Sequence, residues 1–309
     1  MTHEKLVSLI ASEGLPSDFI RTVKRWYTPL ADNVARCHQG SPLLIGHQGS
    51  PLLIGVQGSQ GSGKSTLAQF LKLILEQDHQ LRCVALSLDD FYLTLAERKQ
   101  LAELVHPLFI TRGVPGTHDV SLAIDTLDTL MSTSQSQTCS IPRFNKAIDD
   151  RHPKSDWDNI ATPVDIVIFE GWCVGADAQT EEDLAPPINE LERSEDPYGA
   201  WRTYSNQKLR YDYAELFSRL DKLIVLAAPS FECVYDWRWL QEQKLVRQWQ
   251  TEHPNTEARL LDENSVRRFI SHYERLTRHC LSELHRKADW LLALDDQHNI
   301  TNLVARKND

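Results

Sequence analysis

Gly58, Ser59, Gln60, Gly61, Ser62, Gly63, Lys64, Ser65 and Thr66 carry the spacing G-x-x-x-x-G-K-[ST]. An apolar run at 52–56 precedes them, and a helical pattern of Leu67, Phe70, Leu71 and Ile74 follows. A loop of this kind between a strand and a helix cradles the phosphates of a nucleoside triphosphate. Its glycines let backbone N–H groups curl around phosphate oxygens, and the helix N-terminus adds a favourable dipole. Lys64 then reaches the β- and γ-phosphates and Ser65 is expected to ligate magnesium.

Acids follow at the ends of two further apolar runs. Residues 88–92 read Leu-Asp-Asp-Phe-Tyr, so Asp89 and Asp90 sit at the carboxyl end of a strand, where open α/β sheets bind ligands. One of them can orient an attacking hydroxyl and take its proton; helix capping is the alternative use of such residues. Residues 164–171 form a second apolar strand ending in Glu170-Gly171, the pattern of an acid that holds magnesium through water.

Cations come from three places. Arg112 and His118 lie in the Gly/Pro-rich stretch 111–119, and Arg143 and Lys146 in the stretch 142–146. In both stretches an arginine suits bidentate contact with a carboxylate or phosphate. Downstream, residues 234–247 read as a helix bearing Arg238, Lys244 and Arg247. At about 100° per residue, Arg238 and Arg247 project from opposite faces of one straight helix, so either the helix breaks or only one reaches the phosphates. Arg238 is the favoured one.

These residues need a scaffold, and the chain has the material for one. It has 309 residues, 41% of them apolar, enough for one large α/β domain or two small ones. Apolar runs at 52–56, 83–88, 164–169, 223–228 and 290–294 alternate with helical stretches. That alternation predicts a doubly wound, mostly parallel five-stranded sheet with helices on both faces. Segment 131–140, rich in Ser, Thr and Gln, and the acidic, Pro-containing segment 177–197 both read as loops. In the first forty residues Phe19, Val23, Trp26, Leu30 and Val34 fall near helical spacing, with Thr28-Pro29 starting or kinking a helix. Residues 41–49 and 50–58 are near-identical copies, SPLLIGHQG and SPLLIGVQG, and only the second leads into the phosphate loop. The expected division is an N-terminal helical extension over 1–50 and a catalytic domain over 51–309.

Bulk properties narrow the partners. A net charge of -10 offers no general attraction for nucleic acid or anionic lipid. Six scattered cysteines without a C-x-x-C pair suggest reduced thiols, and no apolar run approaches the roughly 20 residues of a membrane helix. A cytoplasmic protein without a membrane or nucleic-acid partner is the expectation.

Taken together, the motifs resemble those of the D-glycerate 3-kinase family, a branch of the P-loop kinases that includes uridine kinase, phosphoribulokinase and pantothenate kinase. The likeness runs from about residue 51 to the end. It rests on GSQGSGKST, SLDDFYLT (87–94), RGVPGTHD (112–119), PRFNK (142–146), FEGW (169–172) and WRWLQE (237–242). The resemblance implies ATP and Mg2+ as cofactors and a small hydroxy acid as acceptor. It points to Asp89 rather than Asp90 as the base and gives the helix around 236–250 the role of a lid, with Arg238 catalytic beside Lys64. It also implies that Asp89, Tyr92, Arg112, His118, Arg143 and Lys146 line the acceptor site, with Ser65 and Glu170 on the metal. Kinases of a nucleoside, pantothenate or a sugar phosphate are the competing activities. A regulatory GTPase fits poorly, because Asn145-Lys146-Ala147-Ile148-Asp149 places its acid one residue too late for N-K-x-D and precedes Glu170. The L-S-G-G-Q signature of ABC ATPases is absent from the sequence.

Overall fold

The computed structural model describes residues 3–40, 50–133, 137–252 and 263–306, excepting the side chains of 40, 241, 242 and 244–252. The first copy of the duplicated segment, 41–49, lies outside the described residues, as do the side chains of Lys244 and Arg247.

Ten strands occur in chain order among the described residues. They are β1 (Leu52–Gly58), β2 (Cys83–Ser87), β3 (Thr138–Ile141), β4 (Phe144–Asn145), β5 (Asp150–Arg151), β6 (Asp158–Ala161), β7 (Ile166–Gly171), β8 (Lys222–Ala227), β9 (Trp290–Leu294) and β10 (Ile300–Ala305). Six form the main sheet in the order β10-β9-β8-β1-β7-β2. All five expected apolar runs are strands, and their neighbours pair in parallel. The expectation of five strands is corrected by β10, which pairs antiparallel with β9 at the sheet edge. Its sequence, Ile-Thr-Asn-Leu-Val-Ala, is mostly exposed apart from Ile300, so it lacks the continuous apolar run of strands covered on both faces.

Segment 131–140 is likewise not all loop, because β3 begins at Thr138 and pairs with β6. Its alternation of exposed Thr138 and Ser140 with buried Cys139 and Ile141 spans too few residues to register as a pattern. Within 177–197 the structure has two short helices, Glu181–Leu184 and Glu190–Glu195, each started by a side-chain cap from Thr180 or Asn189.

Alternation along the central strands sorts the core into two layers. Leu52, Ile54, Val56, Ile166, Ile168, Ile224 and Leu226 pack against Leu67, Phe70, Leu71 and Ile74 of the helix Lys64–Asp78. The N-terminal helices close that layer through Leu6, Ile10, Val23, Tyr27 and Leu30. On the opposite face Leu53, Val167, Phe169, Leu223 and Val225 meet Leu127, Tyr213, Tyr273 and Leu276. Pro29 does not break its helix. A π-turn over Val23–Tyr27 precedes it, with Thr28 N–H bonded to Val23, and absorbs the irregularity before the helix Thr28–Gly40. The cysteines are free, and Cys83, Cys139, Cys173 and Cys280 are buried. No helix among the described residues is long and apolar enough to cross a membrane.

Phe70 is fully buried, with ring centroids 5.6 Å from Phe19 and 5.8 Å from Tyr27, and so joins the N-terminal helices to the phosphate-loop helix. Phe70→Ala is expected to lower stability by about 3–5 kcal/mol, read as a reduced urea midpoint.

Candidate active site

The phosphate loop leaves the buried end of β1 and enters a helix whose first residue is Lys64. Gly61 and Gly63 adopt φ of 78° and 87°, a left-handed backbone that other residues resist. Having no side chain, Gly63 cannot cap the helix, so its first backbone N–H groups stay available to an anion. The hydroxyls of Ser59 and Ser62 and Oε1 of Gln60 are buried without hydrogen-bond partners. The two serine hydroxyls can donate to a bound polyanion; the Gln60 oxygen, an acceptor, cannot. Thr66 Oγ1 instead donates to Glu13 Oε2 at 3.2 Å.

The loop opens onto a cleft of ≈ 620 Å³, within the usual size of small-molecule sites. Lys64, Ser65, Asp89, Tyr92, Arg112, Lys146, Glu170 and Arg238 all line it. Glu170 ends β7 beside β1 and in register with Ser87 of β2, so sheet pairing delivers it to the phosphate loop. Ser65 Oγ donates to Glu170 Oε1 at 2.8 Å, while Oε2 is buried without a partner. Burial pushes the Glu170 pKa up against the opposing charge of Lys64. One hydroxyl beside one carboxylate with an unused oxygen fits magnesium, which takes few protein ligands and completes its shell with water and phosphate.

Asp89 and Asp90 have different surroundings because they lie in a tight 3-10 turn, Leu88–Phe91, which sends neighbouring side chains in different directions. Asp89 faces the cleft. Its Oδ1 accepts from Tyr92 Oη at 2.9 Å and its Oδ2 from Lys146 Nζ at 2.7 Å. Burial alone would raise its pKa, but the charges of Lys146 and Lys64 outweigh it and hold the carboxyl at about 2. Asp90 anchors the β4–β5 hairpin, accepting from Arg143 Nη1 at 2.7 Å and from Phe144 N–H at 3.2 Å.

Two expected acceptor residues are therefore not in the cleft lining. Arg143 spans Asp90 and Asp158, with its Nε donating to Asp158 Oδ2 at 2.8 Å, and its charge is spent on the hairpin. His118 is buried behind Tyr92, stacked on it at 4.5 Å, with Nδ1 2.6 Å from Tyr213 Oη. It fixes the Tyr92 ring. Arg112 does line the cleft, paired with Asp149 and lying 5.5 Å from the Phe144 ring. The helix Phe231–Glu252 is continuous, and its Arg238 reaches the cleft over Phe269 at 5.6 Å.

Several residues in or behind the cleft were given no site role by sequence reasoning, although Trp172 and Trp237 lie in the FEGW and WRWLQE motifs. Trp172, two residues beyond Glu170, donates from Nε1 to Gly113 O at 2.9 Å; its place at a strand end was the available signal. Tyr273 packs edge-on to Trp172 at 4.9 Å and donates to Arg112 O at 3.0 Å. A side chain at Gly113, where φ is 134°, would collide with the Tyr273 ring. Trp237 stacks on His298 at 4.1 Å and seats the helix against Gly61, where an added Cβ would come within 2.9 Å of it. Arg98 is fully buried and donates to the carbonyls of Leu93, Ile110 and Asp149, tying the Arg112 stretch to the β4–β5 hairpin. Tyr273 and His298 come from chain segments far from any motif, and no local pattern marks them, whereas Arg98 closely follows the 87–94 motif and supports the cleft from outside its lining.

This geometry defines a kinase of the P-loop class. Residues 53–185 match the phosphoribulokinase/uridine kinase family. The chain is 35% identical over 225 residues to a kinase of Schizosaccharomyces pombe, mug58, covering 69% of this chain and 75% of that one. It is 28% identical to the chloroplastic D-glycerate 3-kinase of Arabidopsis thaliana over 69% of its own length and 44% of that protein's, so it spans less than half of that relative. The fold matches a solved D-glycerate 3-kinase of Cryptococcus neoformans with a TM-score of 0.70 at 23% identity, covering 90% of this chain and 97% of that one. The chain belongs to the phosphoribulokinase/uridine kinase family, among its members related to D-glycerate 3-kinase.

Burial pushes the His118 imidazole from 6.5 down to about 4, against the pull of Asp89. Between those values the unfolded chain binds the proton and the folded one does not. The stability that neutral His118 confers is thus complete above pH 6.5 and lost as pH falls toward 4. His118→Phe keeps an aromatic stack and cannot titrate. Between neutral pH and pH 4 it is expected to lose about 2–3 kcal/mol less than the parent, measured by urea denaturation at each pH.

Proposed function

We propose that this kinase transfers the γ-phosphoryl group of ATP to the 3-hydroxyl of D-glycerate, giving 3-phosphoglycerate and ADP. The supporting observation is that Asp89, Lys146 and Arg112 share one cleft with Lys64 and Glu170. A carboxylate base beside two cations suits a small molecule carrying both a hydroxyl and a carboxylate. The sequence likeness to a chloroplastic D-glycerate 3-kinase supports the same acceptor.

In this mechanism the backbone N–H groups of residues 58–66 and the Lys64 ammonium hold the β- and γ-phosphates. Ser65 and Glu170 would hold magnesium, which when bound would neutralise phosphate charge. Asp89 orients the acceptor hydroxyl and receives its proton as the new O–P bond forms and the β–γ bridging bond breaks, leaving ADP. Its low pKa keeps it ionised at neutral pH. A loose phosphoryl-transfer transition state asks the base for orientation more than for basicity. Tyr92 fixes the carboxylate, and Arg238, on a helix whose 236–250 portion acts as a lid, offsets charge developing on the transferred group. Arg112 and Lys146 receive the acceptor carboxylate, without a contribution from Arg143.

An ADP-release assay with D-glycerate, a nucleoside, pantothenate and a sugar phosphate tests the acceptor; clear preference for one of the last three replaces glycerate. With the preferred acceptor, Lys64→Ala and Asp89→Asn are each expected to lower kcat by about 10²–10⁴-fold. An active Asp89→Asn enzyme would remove the base assignment. Asp90→Asn is expected to act mainly on stability, costing about 1–3 kcal/mol by weakening the anchor of Arg143 and Phe144.

A further inference from the structure

Lys146 presents a difficulty for the mechanism just described. Its ammonium sits on Asp89 Oδ2 at 2.7 Å, and Tyr92 takes Oδ1 at 2.9 Å, so both oxygens of the base are already engaged. An oxygen bound to an ammonium is a poorer proton acceptor, and the ammonium occupies part of the cleft beside the base. Each oxygen keeps a second lone pair, but the base accepts a proton more readily once one of the two partners leaves.

The structure distinguishes them. Tyr92 is buried and clamped by ring contacts to His118 at 4.5 Å and Phe144 at 5.2 Å. Lys146 lies just past β4 in the β4–β5 hairpin, its side chain 61% exposed on a flexible four-carbon stem. Swinging it away breaks one ion pair that is open to solvent, whereas moving Tyr92 would dismantle a packed cluster. Asp89, only 25% exposed, cannot follow the lysine out of the cleft.

We propose that Lys146 is an acceptor-operated latch: it covers the Asp89 carboxylate until the anionic group of an acceptor draws the ammonium off, uncovering Oδ2 for the acceptor hydroxyl. The proposal rests on the assignment of Asp89 as base and of a hydroxy acid as acceptor. It adds that the acceptor's own charge switches the site on. Water and neutral polyols carry no anion, so they leave the latch closed, which suppresses futile ATP hydrolysis and selects anionic acceptors by withholding the base from others.

Lys146→Met tests this in two readouts, and an exposed hairpin position tolerates the change. Acceptor-independent ADP release is expected to rise, and the ratio of kcat/KM for D-glycerate over glycerol to fall, each by about tenfold or more. Lys146→Arg, which keeps a charge, is expected to recover much of the discrimination. If ADP release without acceptor does not rise, or if both acceptors lose activity by the same factor, the latch is overturned and Lys146 only binds substrate. Preference of the parent enzyme for a neutral acceptor would instead overturn the hydroxy-acid assignment, and the latch with it. The parent enzyme's acceptor preference therefore separates the two failures.

Discussion

Backbone N–H groups left unbonded at the start of a helix need an anion or water, and in this protein the core fixes where they point. All seven residues of β1 are buried, with β7 and β8 paired on either side. The helix that follows is held to the sheet by Leu67, Phe70, Leu71 and Ile74. A strand and a helix so constrained leave the loop between them little freedom, and its left-handed glycines take up the turn. Every other group in the cleft is set relative to that joint. Glu170 comes from the strand beside β1, Asp89 from the turn after the next, and Trp237 is packed against Gly61.

Burying carboxylates beside a polyphosphate site is costly unless cations accompany them. Glu170 and Asp89 are opposed by Lys64, and Asp89 by Lys146 as well. Other charges near the cleft are committed to architecture: Arg143 to Asp90 and Asp158, Arg98 to Asp149, and Arg151 to Asp119 and the Tyr92 carbonyl. This division ties the β4–β5 hairpin down at its base and leaves the Lys146 side chain exposed.

The short segments of the chain are governed by the same logic. The helix Leu95–Leu104 starts with a capping box between Thr94 and Glu97, which fixes where Arg98 enters the interior. From there its guanidinium satisfies three carbonyls that belong to separate stretches. The loop bearing Arg112 is thereby tied both to that helix and, through Asp149, to the hairpin.

The sequence by itself determined the phosphate loop, the five apolar strands and the carboxylates at their ends. Each is written in contiguous residues whose types answer to a local requirement: glycine for a left-handed turn, apolar runs for a strand covered on both faces, an acid at a strand end. Tertiary structure alone decided which charge faces the cleft. Arg112 and Arg143 look alike in sequence, yet one lines the site and the other is held by Asp90 and Asp158, because a carboxylate 53 residues away competes for it. His118 ends behind Tyr92 rather than beside a substrate, and Tyr273 and His298 reach the cleft from the far end of the chain. The β10 edge escaped notice because an exposed antiparallel strand needs no continuous apolar run. Ion pairing and ring stacking join residues distant in sequence, and no local spacing encodes which partner a charge will find once the chain has closed around it.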